Sequence, residues 1–227
     1  MVVGIIRVVT SEDEEFLQSH AKVLRERYHL ESVTRCIPDQ PHGIHDTATL
    51  EAAVPKVVQV AKDLVEQDHV DLILISCAAD PGIEEVRAVV DVPVIGAGSA
   101  GAAIALASGG GVGVLGITED VPAAVADVLG DRLVASRVPQ GVRRTTDLMS
   151  AVGAEAAVAA ALELRDAGAG SIVFACTGLT TIGLADTVAQ ATGLPVVDAV
   201  LAAGLVATYG AASPRPSNPQ TSNSAPQ

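Results

Sequence analysis

The chain has 227 residues, 49% of them hydrophobic and 2% aromatic, and a formal net charge of −13. That composition supplies a core for one large domain or two lobes. Its 14 Lys and Arg are scattered, which argues against a phosphate-neutralising nucleic-acid surface, and the scarcity of aromatic rings leaves little for stacking on bases or sugars.

The N-terminus shows no basic segment ahead of an apolar run and no small-residue cleavage site, so a cytoplasmic location is expected. Taken along the chain, continuous Val/Ile/Leu-rich runs at 2–9, 70–75, 92–95, 112–117, 171–175 and 195–197 read as buried parallel strands. Between them, 14–28, 51–67, 83–90, 99–107, 122–129, 151–167, 181–191 and 199–207 read as helices. The uncharged stretch 94–117 is broken by glycines, and reads as strand, helix and strand rather than a membrane span. Strand and helix alternate throughout, the pattern of an α/β fold with parallel sheets. Segment 213–227, rich in Pro, Ser, Asn and Gln, reads as a disordered tail.

The order of segments repeats. Gly4 to Asp13 aligns with Gly113 to Asp120, Val70 to Cys77 with Gly170 to Thr177, and Val92 to Ile95 with Leu194 to Val197, at an offset of roughly a hundred residues. The expected architecture is two similar parallel-sheet α/β lobes related by a pseudo-twofold, with a site in the cleft between them. Residues 1–97 plus 198–212 would form the first lobe and 98–197 the second.

Cys77 and Cys176 fall at matching strand ends of this repeat, where open α/β sheets bind ligands. One thiol on each side of a cleft is the layout needed to take a proton from one face of a carbon and return one to the other. After Cys77 comes Ala78-Ala79-Asp80-Pro81-Gly82, with Asp80 expected as N-cap and Pro81 as first residue of the next helix. A thiol there would feel the helix dipole, and a lowered pKa is expected. The small Ala78 and Ala79 leave room beside the sulfur. After Cys176, Thr177 offers a hydroxyl and Gly178 permits close backbone approach.

Taken together, these segments resemble the aspartate/glutamate/hydantoin racemase superfamily across residues 1–210. The resemblance implies two α/β lobes with one catalytic cysteine each, Cys77 and Cys176, no cofactor, and a homodimer or higher homo-oligomer. Asp80-Pro81-Gly82 and Pro93-Val94-Ile95-Gly96-Ala97 are more similar to the hydantoin racemase branch. Glutamate racemases place Asn-Thr where this chain has Ala78-Ala79, and hydantoin racemases show Asn-Pro-Asn-Thr where it has Thr10-Ser11-Glu12-Asp13.

The activity so implied is a cofactor-independent racemase or epimerase acting next to a carbonyl, on a hydantoin-, allantoin- or amino-acid-type substrate. A ring suits this better than a free amino acid, having no full carboxylate charge opposed to the carbanion. Ala78, Ala79, Thr177 and Gly178 are candidate amide donors; Thr10, Ser11, Asp80 and Thr118 are further candidate contacts. Alternatives are a maleate-type isomerase, an arylmalonate-type decarboxylase, and a non-catalytic small-ligand binding protein. The Cys36, His42, His45 and Asp46 loop gathers metal-ligand types, but is read as a shaped loop that could fold over the cleft, with no metal. His20, His29 and His69 are expected to be solvated.

Overall fold

The computed structural model describes residues 1–211; the tail read at 213–227 lies outside the described residues. The first half comprises β1 (Val2–Arg7), α1 (Glu14–Tyr28), β2 (Glu31–Cys36), α2 (Thr47–Glu66), β3 (Leu72–Ser76), α3 (Ile83–Arg87), β4 (Val94–Gly96) and α4 (Ala97–Ala107). The second comprises β5 (Val112–Leu115), α5 (Ala123–Leu129), β6 (Leu133–Arg137), α6 (Ala151–Asp166), β7 (Ser171–Phe174), α7 (Gly178–Thr181), α8 (Ala185–Thr192), β8 (Val196–Val197) and α9 (Ala199–Ala211).

Two four-stranded parallel sheets result, ordered β2-β1-β3-β4 and β6-β5-β7-β8. The inner strands β1, β3, β5 and β7 are buried almost throughout, which is why they read as unbroken apolar runs. Edge strands β2 and β6 escaped the reading for the same reason. Their sequences, ESVTRC and LVASR, are half-exposed and need no apolar run. The helix expected at 181–191 is two helices, α7 and α8, interrupted around Gly183, whose φ is +65°. Helix α2 starts four residues before the expected 51, because Asp46 and Thr49 form a reciprocal capping box.

Helices α4 and α9 join the halves. Each follows the last strand of its own sheet, and each also packs toward the other half: α4 touches β7 and β8, while α9 covers β3 and β4. Their mutual contact uses small residues. A methyl on Gly101 would stand 3.3 Å from Ala199, and Ala100, Ala105, Ala202 and Ala203 are buried in the same cluster. The glycine-broken, chargeless stretch therefore serves close helix packing. Gly204 likewise admits Leu24 and Tyr28 of α1.

A buried polar knot also spans the halves. His20, on α1, is fully buried rather than solvated as its polar neighbours led us to expect; His29 and His69 are exposed. Its Nδ1 lies 2.8 Å from Ser76 Oγ, and its Nε2 lies 3.1 Å from the Thr177 carbonyl and 2.9 Å from Thr181 Oγ1. A carbonyl only accepts, so Nε2 carries the proton of the neutral ring and Nδ1 accepts from the Ser76 hydroxyl. The Thr177 hydroxyl donates to the Ser76 carbonyl at 3.1 Å. Burial, aided by the Arg7 charge, holds the imidazole well below its ordinary pKa.

A depressed imidazole pKa means that the unfolded chain binds the proton first. The stability linked to His20 is therefore complete above about pH 6.5 and is lost as pH falls below it, with a slope approaching about 1.4 kcal/mol per unit. In urea titrations from pH 7.5 to pH 5, His20→Gln should be less stable than the parent at pH 7.5 and should lose less on acidification. Equal slopes in both proteins would remove His20 as the source.

Candidate active site

Cys77 directly follows β3, and Cys176 stands two residues beyond β7. Because β3 and β7 occupy the same place in their sheets, the two turns face one cavity, and both cysteines line it. The two are close enough that a charge on Cys176 disfavours one on Cys77.

The turn after Cys77 is built differently from the sequence expectation. Asp80 is not the N-cap of α3, which begins at Ile83 behind Gly82, and Pro81 precedes the helix. Asp80 takes φ +47° and turns its buried carboxylate onto the N-terminus of α4, accepting from Gly98 N at 2.7 Å and Ser99 N at 2.9 Å. Helix α4 comes so near this turn that a methyl at Gly96 would strike the Asp80 carboxylate, and one at Gly98 the Ala78 carbonyl. The second half solves the same problem with other residues. Asp198 caps α9 through Val200 N and Leu201 N, and Thr180, four residues after Cys176, donates to it at 2.9 Å.

The thiols are not acidified. Burial pushes Cys77 up to about 12, helped by Cys176 and Asp80 and opposed by the Ala79 amide. Burial also raises Cys176, against the Gly178 and Leu179 amides and the Thr145 hydroxyl. The lowered pKa expected from a helix start is thus overturned, since desolvation outweighs the single amide at Cys77 and the two amides and one hydroxyl at Cys176. Cys176 precedes α7, but that helix has only four residues, and what opposes burial there is hydrogen bonding from Gly178, Leu179 and Thr145. Gly178 is required there by space: a methyl would come within 2.7 Å of Thr145 Cγ2 and 3.4 Å of Cys176 Sγ.

Of the candidate contacts, Ala78, Ala79, Thr118, Thr177 and Gly178 line the cavity with the cysteines. Thr10 and Ser11 do not. Thr10 instead donates to the Ile37 carbonyl and accepts from Gln40 N, both at 2.7 Å, and Ser11 Oγ accepts from Asp13 N. Thr10 thereby anchors the loop after β2, which brings Ile44 to the cavity wall that Thr145 of the second half also lines. Gly43, at φ +69°, packs against Thr145 Oγ1, and Thr145 Oγ1 lies 3.9 Å from Cys176 Sγ. Among the described residues, no cluster of three or more His, Cys, Asp or Glu side chains could hold a metal ion, and no helix is long and apolar enough to cross a membrane.

Sequence reasoning missed Arg7, Phe16, Ile44 and Thr145 in the wall. Arg7 ends β1 and is 3% exposed, and its guanidinium stacks 4.5 Å from the Phe16 ring centroid. A charged residue at the end of an otherwise apolar strand was the available signal.

Residues 4–206 match the family Asp/Glu/Hydantoin racemase. The chain belongs to this family. Racemases are isomerases, and the chain is placed among them. No curated protein matches it. Among solved structures it is similar to the allantoin racemase of Pseudomonas fluorescens, with a TM-score of 0.79 and 23% identity over 96% of this chain and 99% of that one. The allantoin racemase of Klebsiella pneumoniae gives 0.80 and 21%, over 92% and 86%. A double mutant of arylmalonate decarboxylase in liganded form gives 0.69 and 18%, over 93% of each chain. These likenesses establish the shared two-lobed α/β fold.

The thiol environment of this family member carries a direct prediction. With Cys77 near 12 against about 8.5 for a free cysteine, its thiolate is about three thousandfold scarcer at pH 7.5. Iodoacetamide labelling mapped by peptide mass should find Cys77 slow at pH 7.5 and accelerating about tenfold per pH unit above it. Labelling as fast as free cysteine at pH 7.5 would show that the amides overcome burial.

Proposed function

We propose that the protein is a cofactor-independent racemase or epimerase that moves a proton at a carbon next to a carbonyl, using Cys77 and Cys176 as the two acid–base groups. The observation that carries this reading is the presence of both thiols in one cavity at equivalent strand ends. One sulfur takes the proton from the substrate as thiolate; the other, as thiol, delivers a proton to the opposite face, and the roles exchange for the reverse reaction. Proximity of the sulfurs supports the required asymmetry, because a second thiolate is disfavoured beside the first. Burial supports the chemistry as well. A desolvated thiolate is a stronger base, better matched to a weak carbon acid.

The donors around each sulfur have a matching task. The Ala79 amide at Cys77, and the Gly178 and Leu179 amides at Cys176, favour whichever sulfur is momentarily charged. The likeness to two allantoin racemases places allantoin among the first compounds to test, beside 5-substituted hydantoins, aspartate and glutamate. Decarboxylation of an arylmalonate is the second reading, supported by the likeness to arylmalonate decarboxylase. It needs one proton donor, so the second cysteine weighs against it.

The test is incubation of single enantiomers in D₂O, following optical rotation and loss of the α-proton signal. Inversion with deuterium uptake is expected, falling about 10²- to 10⁴-fold in Cys77→Ala and in Cys176→Ala. Each variant keeps a thiol on one face only, so residual exchange should be confined to one enantiomer. Turnover unaffected by either substitution would sink the two-thiol mechanism, and carbon dioxide release from phenylmalonate needing one cysteine alone would favour the second reading.

A further inference from the structure

His20 is fully buried, yet it is not among the residues that line the cavity. Its hydrogen-bond partners lie on the chain beside the thiols instead. Ser76, whose Oγ stands 2.8 Å from Nδ1, immediately precedes Cys77. Thr177, whose carbonyl stands 3.1 Å from Nε2, immediately follows Cys176, and Thr181, at 2.9 Å from the same nitrogen, is one helical turn further on. The ring is itself held in place. From the end of β1, Arg7 Nη1 donates to the carbonyls of Phe16 and Leu17 and to Ser19 Oγ, which ties down the residues of α1 just ahead of His20, while its Nη2 donates to Thr181 Oγ1. Further along α1, Leu24 and Tyr28 occupy the space left by Gly204 of α9.

We infer that His20 is a positioning residue, which sets the separation of the two cysteine-bearing turns so that both sulfurs reach one substrate carbon. Each half supplies one thiol at the end of its own sheet, so no bond within a single half fixes the distance from one sulfur to the other. His20 does so by presenting an acceptor to the first turn and a donor to the second from opposite ring nitrogens. The Thr177 hydroxyl, donating to the Ser76 carbonyl at 3.1 Å, makes a second link beside it. Ser76 is 2% exposed, so removing the imidazole leaves a buried hydroxyl unpaired, which favours keeping the turns in this register.

Moving a proton at both faces of a carbon requires both sulfurs at near-contact distance, and a misplacement of about 1 Å costs roughly 10²-fold in rate. His20 acts on both sulfurs together. Its loss therefore slows exchange of both enantiomers, whereas loss of one cysteine spares one face. This kinetic consequence rests on the racemase reading; the link between the turns does not.

The test compares the full chain with His20→Leu, His20→Gln and Ser76→Ala. Each protein is followed by amide hydrogen exchange with mass spectrometry, and by α-proton exchange in D₂O with single enantiomers of allantoin, 5-methylhydantoin, aspartate and glutamate. The amides of Asp80 in the first turn and of Leu179 and Thr181 in the second are hydrogen-bonded and report on the two turns. In His20→Leu, amide exchange across 77–82 and 177–182 should quicken roughly 10- to 100-fold, while the strands keep their protection. Ser76→Ala lies in the first half, yet it should also quicken 177–182 in the second. Turnover of both enantiomers should fall about 10²-fold in His20→Leu with KM changed by less than about threefold, and Gln, whose amide nitrogen still donates toward Thr177, should recover part of it. Quickening confined to α1 or to the first half, or equal throughout the chain, overturns the inference. Where His20→Leu does not fold, Ser76→Ala decides by the same criterion. Selective loosening of both turns with no compound exchanged by the parent upholds the link and counts against the racemase reading. Full-rate exchange of both enantiomers in His20→Leu upholds the racemase reading and overturns the positioning role.

Discussion

The neutral imidazole of His20 sits between the two residues that flank the thiols, accepting from the Ser76 hydroxyl and donating to the Thr177 carbonyl. Ser76 precedes Cys77 and Thr177 follows Cys176, so the relative position of the two sulfurs is set through one ring and the Thr177–Ser76 bond beside it. This arrangement holds while the ring is uncharged: a proton on Nδ1 would remove the acceptor that Ser76 requires. Fully satisfied, such a buried network specifies one arrangement of its parts. Arg7 belongs to the same knot through Thr181, which touches both its Nη2 and the imidazole, linking the end of β1 to α7 of the other half.

Close packing supplies the second half of the constraint. The turn carrying Cys77 is clamped by the end of β4 and the start of α4, where Gly96 and Gly98 admit no side chain, and the turn carrying Cys176 is clamped by Thr145 and Leu148 against Gly178. Small residues let backbone approach backbone, and the two buried carboxylates, Asp80 and Asp198, then use helix N–H groups that would otherwise be orphaned. Desolvation raises the pKa of both carboxylates against these hydrogen bonds. The same exclusion of water raises both thiols. Packing around the sulfurs therefore lowers their thiolate population, and in the proposed reaction the benefit is a stronger base once the proton has left.

Charge organises the cavity in a way that the chain as a whole does not. The molecule is strongly acidic, yet the wall holds a single charged side chain and it is positive. The loop after β2 adds shape to this electrostatic bias, with Thr10 and Gln40 tying its base and Ile44 reaching the wall. The sequence left the role of that loop open between a surface segment and a cover, and the structure brings Ile44 of it to the wall, while the hydroxyl of Thr10 serves the loop and not the cavity.

Residues whose surroundings are set by their own strand or by the repeat were legible without coordinates. Inner strands β1, β3, β5 and β7 announce themselves because both faces are buried, and Cys77 and Cys176 because two copies of one unit place them alike. Edge strands β2 and β6 carry no such mark, since half of each faces water or a helix. His20 and Arg7 looked like ordinary polar residues; His20 is bonded by Ser76, Thr177 and Thr181, far along the chain, and Arg7 by the start of α1 together with Thr181. Asp80 read as a local cap, and only the approach of α4 redirected it. The acidity of the thiols was likewise beyond local reading, because desolvation is a property of everything packed around a sulfur. The amino-acid sequence by itself determined the repeated α/β plan and the paired cysteines, through periodicity and spacing. Tertiary structure alone decided which polar groups are buried, whom they bond, and what charge the cavity presents, because those depend on contacts between residues that sequence order keeps apart.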